Sequence, residues 1–157
     1  MMNVRLAQPQ EAPELTEIAL RSKAFWGYSE AFMAACVDEM TIQAQSIENP
    51  NLAHWVAIDD AEFAGFYVLD WKADDYCELD ALYVDPDRIG QGCGKTLLTH
   101  AKGQAEIRGV RRVTIQSDPN AEAFYLAMGA VRVGLRESGS IAGRQLPLLE
   151  IRLPDPR

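Results

Sequence analysis

The chain has 157 residues, of which 48% are apolar and 24% charged, with 11 glycines and 8 prolines. That is one domain's worth of ordinary globular sequence, residues 1–157, and it excludes disorder, collagen-like repeats and a coiled coil. Fifteen Lys+Arg against 23 Asp+Glu leave a formal net charge of -8, so the basic face that binds a phosphate backbone is missing and no nucleic-acid partner is expected.

Met1–Glu14 contains no apolar core of a signal peptide, and no run approaches the roughly 18 apolar residues of a membrane helix. Val4 and Leu6 alternate with polar neighbours as a short first strand. Pro13 suits the first turn of a helix, and Leu15, Ile18 and Ala19 follow at helical spacing until about Gly27. A second helix is expected over Ser29–Met40, with Ser29 as its N-cap. Asn49-Pro50-Asn51 is a turn. His54–Asp59 and Glu62–Trp71 read as strands joined by a hairpin at Asp60-Ala61, and Tyr76–Val84 as a third. Asp85-Pro86-Asp87 ends that strand. A glycine-rich loop leads into a helix over Lys95–Arg108, followed by a strand over Val110–Gln116. A short helix over Asn120–Met128 closes at Gly129. Two final strands lie near Val131–Glu137 and Leu146–Leu153. The order βαα–βββ–αβ–αββ predicts an α/β (α+β) domain with a mixed, mostly antiparallel sheet of six to seven strands and about four helices.

Cys36, Cys77 and Cys93 are odd in number and far apart. No CxxC pair exists, and only His54 and His100 could join them as soft ligands. Neither a metal site nor a disulfide framework is expected, and reduced thiols fit a cytoplasmic protein.

Arg88-Ile89-Gly90-Gln91-Gly92-Cys93-Gly94-Lys95-Thr96 is the most informative stretch. Alternate glycines let successive amides turn toward one point, and the helix that follows aims its unpaired N–H groups and positive dipole end at the same place. Strand, glycine loop and helix start together make an anion cradle, usually for phosphate. Gly94-Lys95-Thr96 ends like a nucleotide-binding P-loop, but Ile89 stands where that loop needs its first glycine. A dinucleotide GxGxxG fails because Lys95 stands where the third glycine would be.

The run Leu82 to Leu98 resembles motif A of the GNAT superfamily of N-acyltransferases. That motif is a strand ending in L-x-V, then [QR]-x-x-G-x-[GA], then a helix. The pattern departs at one place: the [QR] position falls on Ile89, with Arg88 one residue early. This bears on a side-chain contact there and leaves the amides untouched. Further on, Asn120-Ala121-Glu122-Ala123-Phe124-Tyr125 through Gly129-Ala130 is similar to motif B, and the element order is the family's over nearly the whole chain.

The resemblance implies a GNAT-like acyl-CoA N-acyltransferase fold and an N-acetyltransferase. It would pass the acetyl group of acetyl-CoA directly to a primary amine of a small molecule or a protein, without a metal. It implies that the amides of Ile89, Gly90, Gln91, Gly92, Cys93, Gly94, Lys95 and Thr96 hold the pyrophosphate. Backbone groups of Leu82, Tyr83 and Val84 would pair with the pantetheine arm. Asn120 would touch that arm or cap its helix, and Phe124 would pack against the CoA. Tyr125 is then the general acid for the leaving thiolate.

Glu78 and Asp80 share a strand face by period-two alternation. Glu78 aligns with a glutamate that some histone-acetylating members use as a base; Asp80 is a weaker base candidate beside the acceptor. Trp26 and Tyr28, at the joint of the first two helices, are candidate acceptor-pocket walls. Arg136, Ser138 and Arg144 could meet an acceptor carboxylate. Cys93 at a helix start would have a lowered thiol pKa, which opens acyl-cysteine chemistry as a lesser route.

Two rivals stand beside the enzyme: a CoA-binding regulatory module of the same fold, and a phosphotransferase using Gly94-Lys95-Thr96. A homodimer is compatible with the sequence, which contains nothing that specifies one. A ligand panel separates the readings. Acetyl-CoA at a hundredfold excess over its Kd should raise the apparent stability by about 2.7 kcal/mol, with no shift from ATP·Mg. The reverse result would point to the phosphotransferase.

Overall fold

The computed structural model describes residues 2–154. Seven strands form one sheet in the order β1-β2-β3-β4-β5-β7-β6. They are β1 (Met2–Leu6), β2 (Leu52–Asp59), β3 (Glu62–Asp70), β4 (Tyr76–Val84), β5 (Arg112–Gln116), β6 (Val131–Glu137) and β7 (Gln145–Arg152). All neighbours are antiparallel except β4 and β5, which run parallel from Tyr76↔Arg112 to Leu79↔Ile115. A parallel pair needs a crossover, and α4 (Cys93–Arg108) supplies it.

The helices α1 (Ala12–Ala24), α2 (Glu30–Met40), α3 (Ala44–Ile47) and α5 (Glu122–Ala127) complete the described α-helices, and short 3-10 turns lie at Pro9–Glu11, Pro86–Arg88 and Pro119–Ala121. Ser29 caps α2 as expected, its hydroxyl accepting from the Phe32 amide at 3.1 Å. The α3 turn was not foreseen, because four residues are too short to show a period. The helix α4 begins two residues earlier than expected, since Cys93 and Gly94 already belong to it.

Both sheet faces are covered. Leu15, Ile18 and Ala19 of α1 and Cys36 and Met40 of α2 pack on Val56, Phe66 and Val68. On the other face Leu97, Leu98, Ala101 and Ala105 of α4 pack on Tyr67, Leu69, Cys77, Leu79, Val113 and Ile115. This is why residues 64–69 of β3 form an unbroken buried run rather than an alternation. Each fully buried large aliphatic there contributes about 1.5–3 kcal/mol. Gly65, opposite Val84 on β4, is fitted to its place: a Cβ there would lie 2.6 Å from the Tyr83 carbonyl oxygen and 3.0 Å from Leu97 Cδ1.

In β4 the register steps from Leu69↔Leu79 to Val68↔Ala81, leaving Asp80 as an extra residue. This is a β-bulge, which bends a strand and adds twist. Its effect on the faces is visible in the packing. Before it, Cys77 and Leu79 point to the α4 side; after it, Leu82 and Val84 do, while Ala81 and Tyr83 pack toward α1 and α2.

His54 of β2 is 3% exposed, and its Nδ1 has no hydrogen-bond partner. Burial holds its pKa at about 4. The folded state therefore keeps it neutral while the unfolded chain takes up a proton below pH 6.5. Stability should be full above pH 6.5 and decline toward pH 4 by at most about 1.4 kcal/mol per pH unit. Urea unfolding between pH 6.5 and 5 checks this: the slope should fall in His54→Leu to the remainder left by His100, which burial also lowers, and a flat wild-type profile would refute it.

Candidate functional site

The β4–β5 ladder ends at Leu79↔Ile115, just before the bulge. Beyond that point β4 continues to Val84 paired only with β3, while β5 stays with β7. The β5-side backbone groups of residues 80–84 are left without a strand partner. A cavity of about 260 Å³ fills the opening, with Leu82, Tyr83 and Val84 on one wall and Gly94, Phe124 and Tyr125 among the residues opposite.

The glycine loop lies at the far end of this opening. Asp85 starts it, accepting from the Asp87 amide at 2.9 Å and from both terminal nitrogens of Arg21 at 2.9 and 3.1 Å. Arg88 turns away from the loop and pairs with Asp59 and Glu62 of the β2–β3 hairpin, so it tethers the loop and does not line it. Gly90 and Gly92 have φ of 82° and 80°, left-handed values that strain other residues. The first helical bond of α4 runs from the Thr96 amide to the Gly92 carbonyl at 3.0 Å. The amides of Gly90, Gly92, Cys93, Gly94 and Lys95 find no acceptor among the described residues. That set of free donors at a helix start suits a pyrophosphate. The amides of Ile89 and Gln91 are spent at 3.4 Å on Pro86 and Arg88, and that of Thr96 on Gly92, which removes three of the expected amide donors from the cradle. The Ile89 side chain is 52% exposed. Lys95 and Thr96 stand exposed on the first helical turn.

Gly94 allows close approach: a Cβ there would lie 3.3 Å from Phe124 Cζ, so Phe124 packs on the start of α4. Tyr125 is 6% exposed and packs edge-on against Phe124, with ring centres 5.2 Å apart. Its hydroxyl has no hydrogen-bond partner among the described residues. Burial, with Asp118 adding to it, raises its pKa, so the phenol stays protonated at neutral pH. Cys93 behaves otherwise than the helix-start argument suggested. Its thiol is 1% exposed, lies 3.6 Å from the Ala64 carbonyl, and is pushed by burial up to about 11. Desolvation outweighs the dipole, and an acyl-cysteine route has no thiolate to start from.

Asn120 is not the cap of its helix. A 3-10 turn over Pro119–Ala121 precedes α5, and Asp118 caps it by accepting from the Asn120 amide at 2.8 Å. The Asn120 side chain instead donates to Tyr28 Oη at 3.0 Å and to Asp118 at 2.9 Å. Asp118 is a hub the sequence reading missed. It accepts from Tyr28 Oη at 2.9 Å, with Lys23 Nζ at 3.3 Å and Arg144 at 3.7 Å. Burial would raise its pKa, but the Asn120 amide, the Tyr28 hydroxyl and Lys23 together hold it below the usual carboxylate value. Tyr28 stacks on Phe32 at 4.1 Å, and Arg144 donates to Tyr28 Oη at 2.9 Å. Three distant segments are thereby joined beside the cavity. Trp26, 48% exposed, lines its edge.

A second, smaller cavity of about 120 Å³ meets the first at Lys23, Asp80, Ala81 and Tyr83. Cys36, Met40, Ile42 and Leu146 give it apolar walls, and Glu39 and Asp80 line it with carboxylates. Glu78 lines neither cavity; it is paired with Arg136 at 3.1 Å. With Arg136 held by Glu78 and Arg144 by the hub, neither arginine is set aside for an acceptor carboxylate. No group of three or more His, Cys, Asp or Glu that could hold a metal occurs among the described residues.

The Acetyltransferase (GNAT) family matches residues 14–130. The peptidyl-lysine N-acetyltransferase YjaB of Salmonella typhimurium is 31% identical over 98% of this chain and 99% of its own. The Escherichia coli protein of that name is 27% identical, over 96% of each. Among solved structures, the PaiA N-acetyltransferase of Thermoplasma acidophilum in complex with coenzyme A superposes with a TM-score of 0.78 at 21% identity, covering 98% and 99% of the two chains. The ribosomal-protein-S18-alanine N-acetyltransferase of Escherichia coli gives 0.72 at 22%, covering 97% and 94%.

The cradle makes a paired test. Gly92→Ala forces an L-residue into a left-handed conformation, costing about 1–2 kcal/mol, and should weaken CoA binding in calorimetry. Gly103→Ala, with open space around it inside α4, should stabilise by roughly 0.5–1 kcal/mol and leave binding unchanged.

Proposed function

The chain belongs to the GNAT acetyltransferase family and is an acetyl-CoA-dependent N-acetyltransferase, and from that premise we propose that its acceptor is the side-chain amine of lysine in a protein or peptide. The observation that carries this reading is the second cavity. It is small, at about 120 Å³, with Cys36, Met40, Ile42 and Leu146 as apolar walls beside Ser138, Ser140 and the Asp118-held Lys23 and Arg144, and it carries one carboxylate, Asp80, where it meets the first and a second, Glu39, elsewhere on its wall. That size and chemistry suit a slender alkyl chain ending in an ammonium, and suit a bulky polyhydroxylated amine poorly. The name of the Salmonella relative points the same way.

In this reading the CoA pyrophosphate takes the free amides between Gly90 and Lys95. The pantetheine arm lies along the open edge of β4, pairing with backbone groups of the stretch that holds Leu82, Tyr83 and Val84. Phe124 flanks it. The acceptor enters by the second cavity, so the two substrates meet at residues 80–83 from different sides. Holding both there converts an encounter into an intramolecular attack. The amine nitrogen bonds to the thioester carbonyl carbon, the C–S bond breaks, and the Tyr125 phenol gives its proton to the sulfur. The three described cysteines are all free thiols, in keeping with a cytoplasmic setting.

Two measurements test this. Mass spectrometry after incubation with acetyl-CoA should show lysine peptides acetylated with a higher kcat/KM than polyamines or aminosugars; preference for a small amine would overturn the acceptor assignment. Tyr125→Phe should lower kcat by about a hundredfold or more with the Kd for CoA unchanged. An unaltered kcat would remove Tyr125 from the chemistry.

A further inference from the structure

The cations around the acceptor cavity are already matched. Lys23 and Arg144 are held by Asp118, Lys72 by Asp70 at 2.9 Å, and Arg136 by Glu78 at 3.1 Å. Two carboxylates on the cavity wall, Asp80 and Glu39, have no ion-pair partner among the described residues. Of these, Asp80 alone also lines the first cavity. It does so because it is the bulged residue of β4: excluded from the β3 register, it shares a face with Ala81 and stands where the two cavities meet.

We infer that Asp80, rather than Glu78, binds the incoming ammonium and receives its proton. This rests on the amine-acetyltransferase reading above, not on lysine being the acceptor. Glu78 is two residues away on the same face but is neutralised by Arg136 and lies off both cavities. The surroundings of Asp80 favour proton uptake. Asp80 is exposed at the mouth shared by the two cavities, but its partial desolvation there raises its proton affinity, and Glu78 on its own strand, Asp70 on β3 and Glu39 on α2 add to the rise, with Lys72 opposing. Lys23 and Arg144, the other charged groups at that cavity, are occupied by Asp118.

The step balances as follows. The acceptor arrives as an ammonium, ion-paired to Asp80. One N–H proton passes to the Asp80 carboxylate and leaves to solvent through the second cavity. The freed lone pair forms the C–N bond as the C–S bond breaks. The nitrogen's second proton, lost on collapse, replaces the one Tyr125 gives to the thiolate. The products are an amide, CoA thiol and one proton.

The experiment compares Asp80→Asn with Glu78→Gln, on whichever amine the wild type turns over best. Asp80→Asn should lower kcat/KM at pH 7 by about a hundredfold, with the Kd for CoA unchanged. Its rate should then climb about tenfold per pH unit as bulk base deprotonates the amine. Glu78→Gln should stay within about threefold of wild type. An acceptor whose terminal amine is replaced by an aminooxy group, neutral at pH 7, should be turned over equally by wild type and Asp80→Asn. A merely structural role would depress that reaction too. A wild-type pH profile in Asp80→Asn, or the loss appearing in Glu78→Gln instead, would overturn the assignment. Failure of lysine peptides alone would overturn only the acceptor class.

Discussion

One inserted residue governs this site. Where β4 carries Asp80 without a partner on β3, the strand bends, its inward and outward faces exchange, and its ladder with β5 ends. A regular strand would continue pairing and close the sheet. The bulge leaves a stretch of strand that is rigid on one edge, through β3, and free on the other. A free edge held by a fully buried neighbour is a good receptor for an extended ligand, because its hydrogen-bonding groups are preorganised and cost little further ordering. The same bulge faces Asp80 and Ala81 to one side, so the point of strand separation is also where the two cavities share a wall.

The other constraint is electrostatic. The protein is acidic overall, yet around the site its cations are paired off with particular carboxylates. Asp118 collects Tyr28, Lys23, Asn120 and Arg144 from the α1–α2 joint, its own turn and the β6–β7 hairpin. Buried carboxylates are tolerated when so fully bonded. Arg88 performs a comparable service for the glycine loop by tying it to the β2–β3 hairpin. The cradle can then spend its amides on a ligand because side chains elsewhere hold its backbone in place.

Much of this was legible in the sequence, for local reasons. The alternate glycines, the strand before them and the helix after them have short-range signatures, and the Phe124-Tyr125 pair sits at a recognisable spacing. Six or seven strands were expected, and seven are found. The donors at Ile89, Gln91 and Thr96 were over-assigned because sequence shows which amides are near a loop and not which are already bonded. The lowered thiol of Cys93 failed because burial is a tertiary property that the helix start does not reveal. Asp118 was passed over as the residue before a proline, since its partners Tyr28 and Arg144 lie 90 and 26 residues away. Two-residue periodicity rightly put Glu78 and Asp80 on one face. It could not show that a bulge turns one of them into the cavities, or that Arg136 claims the other.

Gly65 carries a different lesson, about evolution. It touches neither cavity, yet any side chain there would press on the Tyr83 carbonyl and the start of α4's packing face. The segment of β4 that must stay open on one edge is thus kept in place from behind by the absence of an atom. Divergence in this chain can alter the walls of the second cavity, which are built largely from side chains on α2 and the last hairpin, far more freely than it can alter this one backbone contact. New cavity linings can therefore be reached by substitution around a scaffold position at which every side chain would meet backbone.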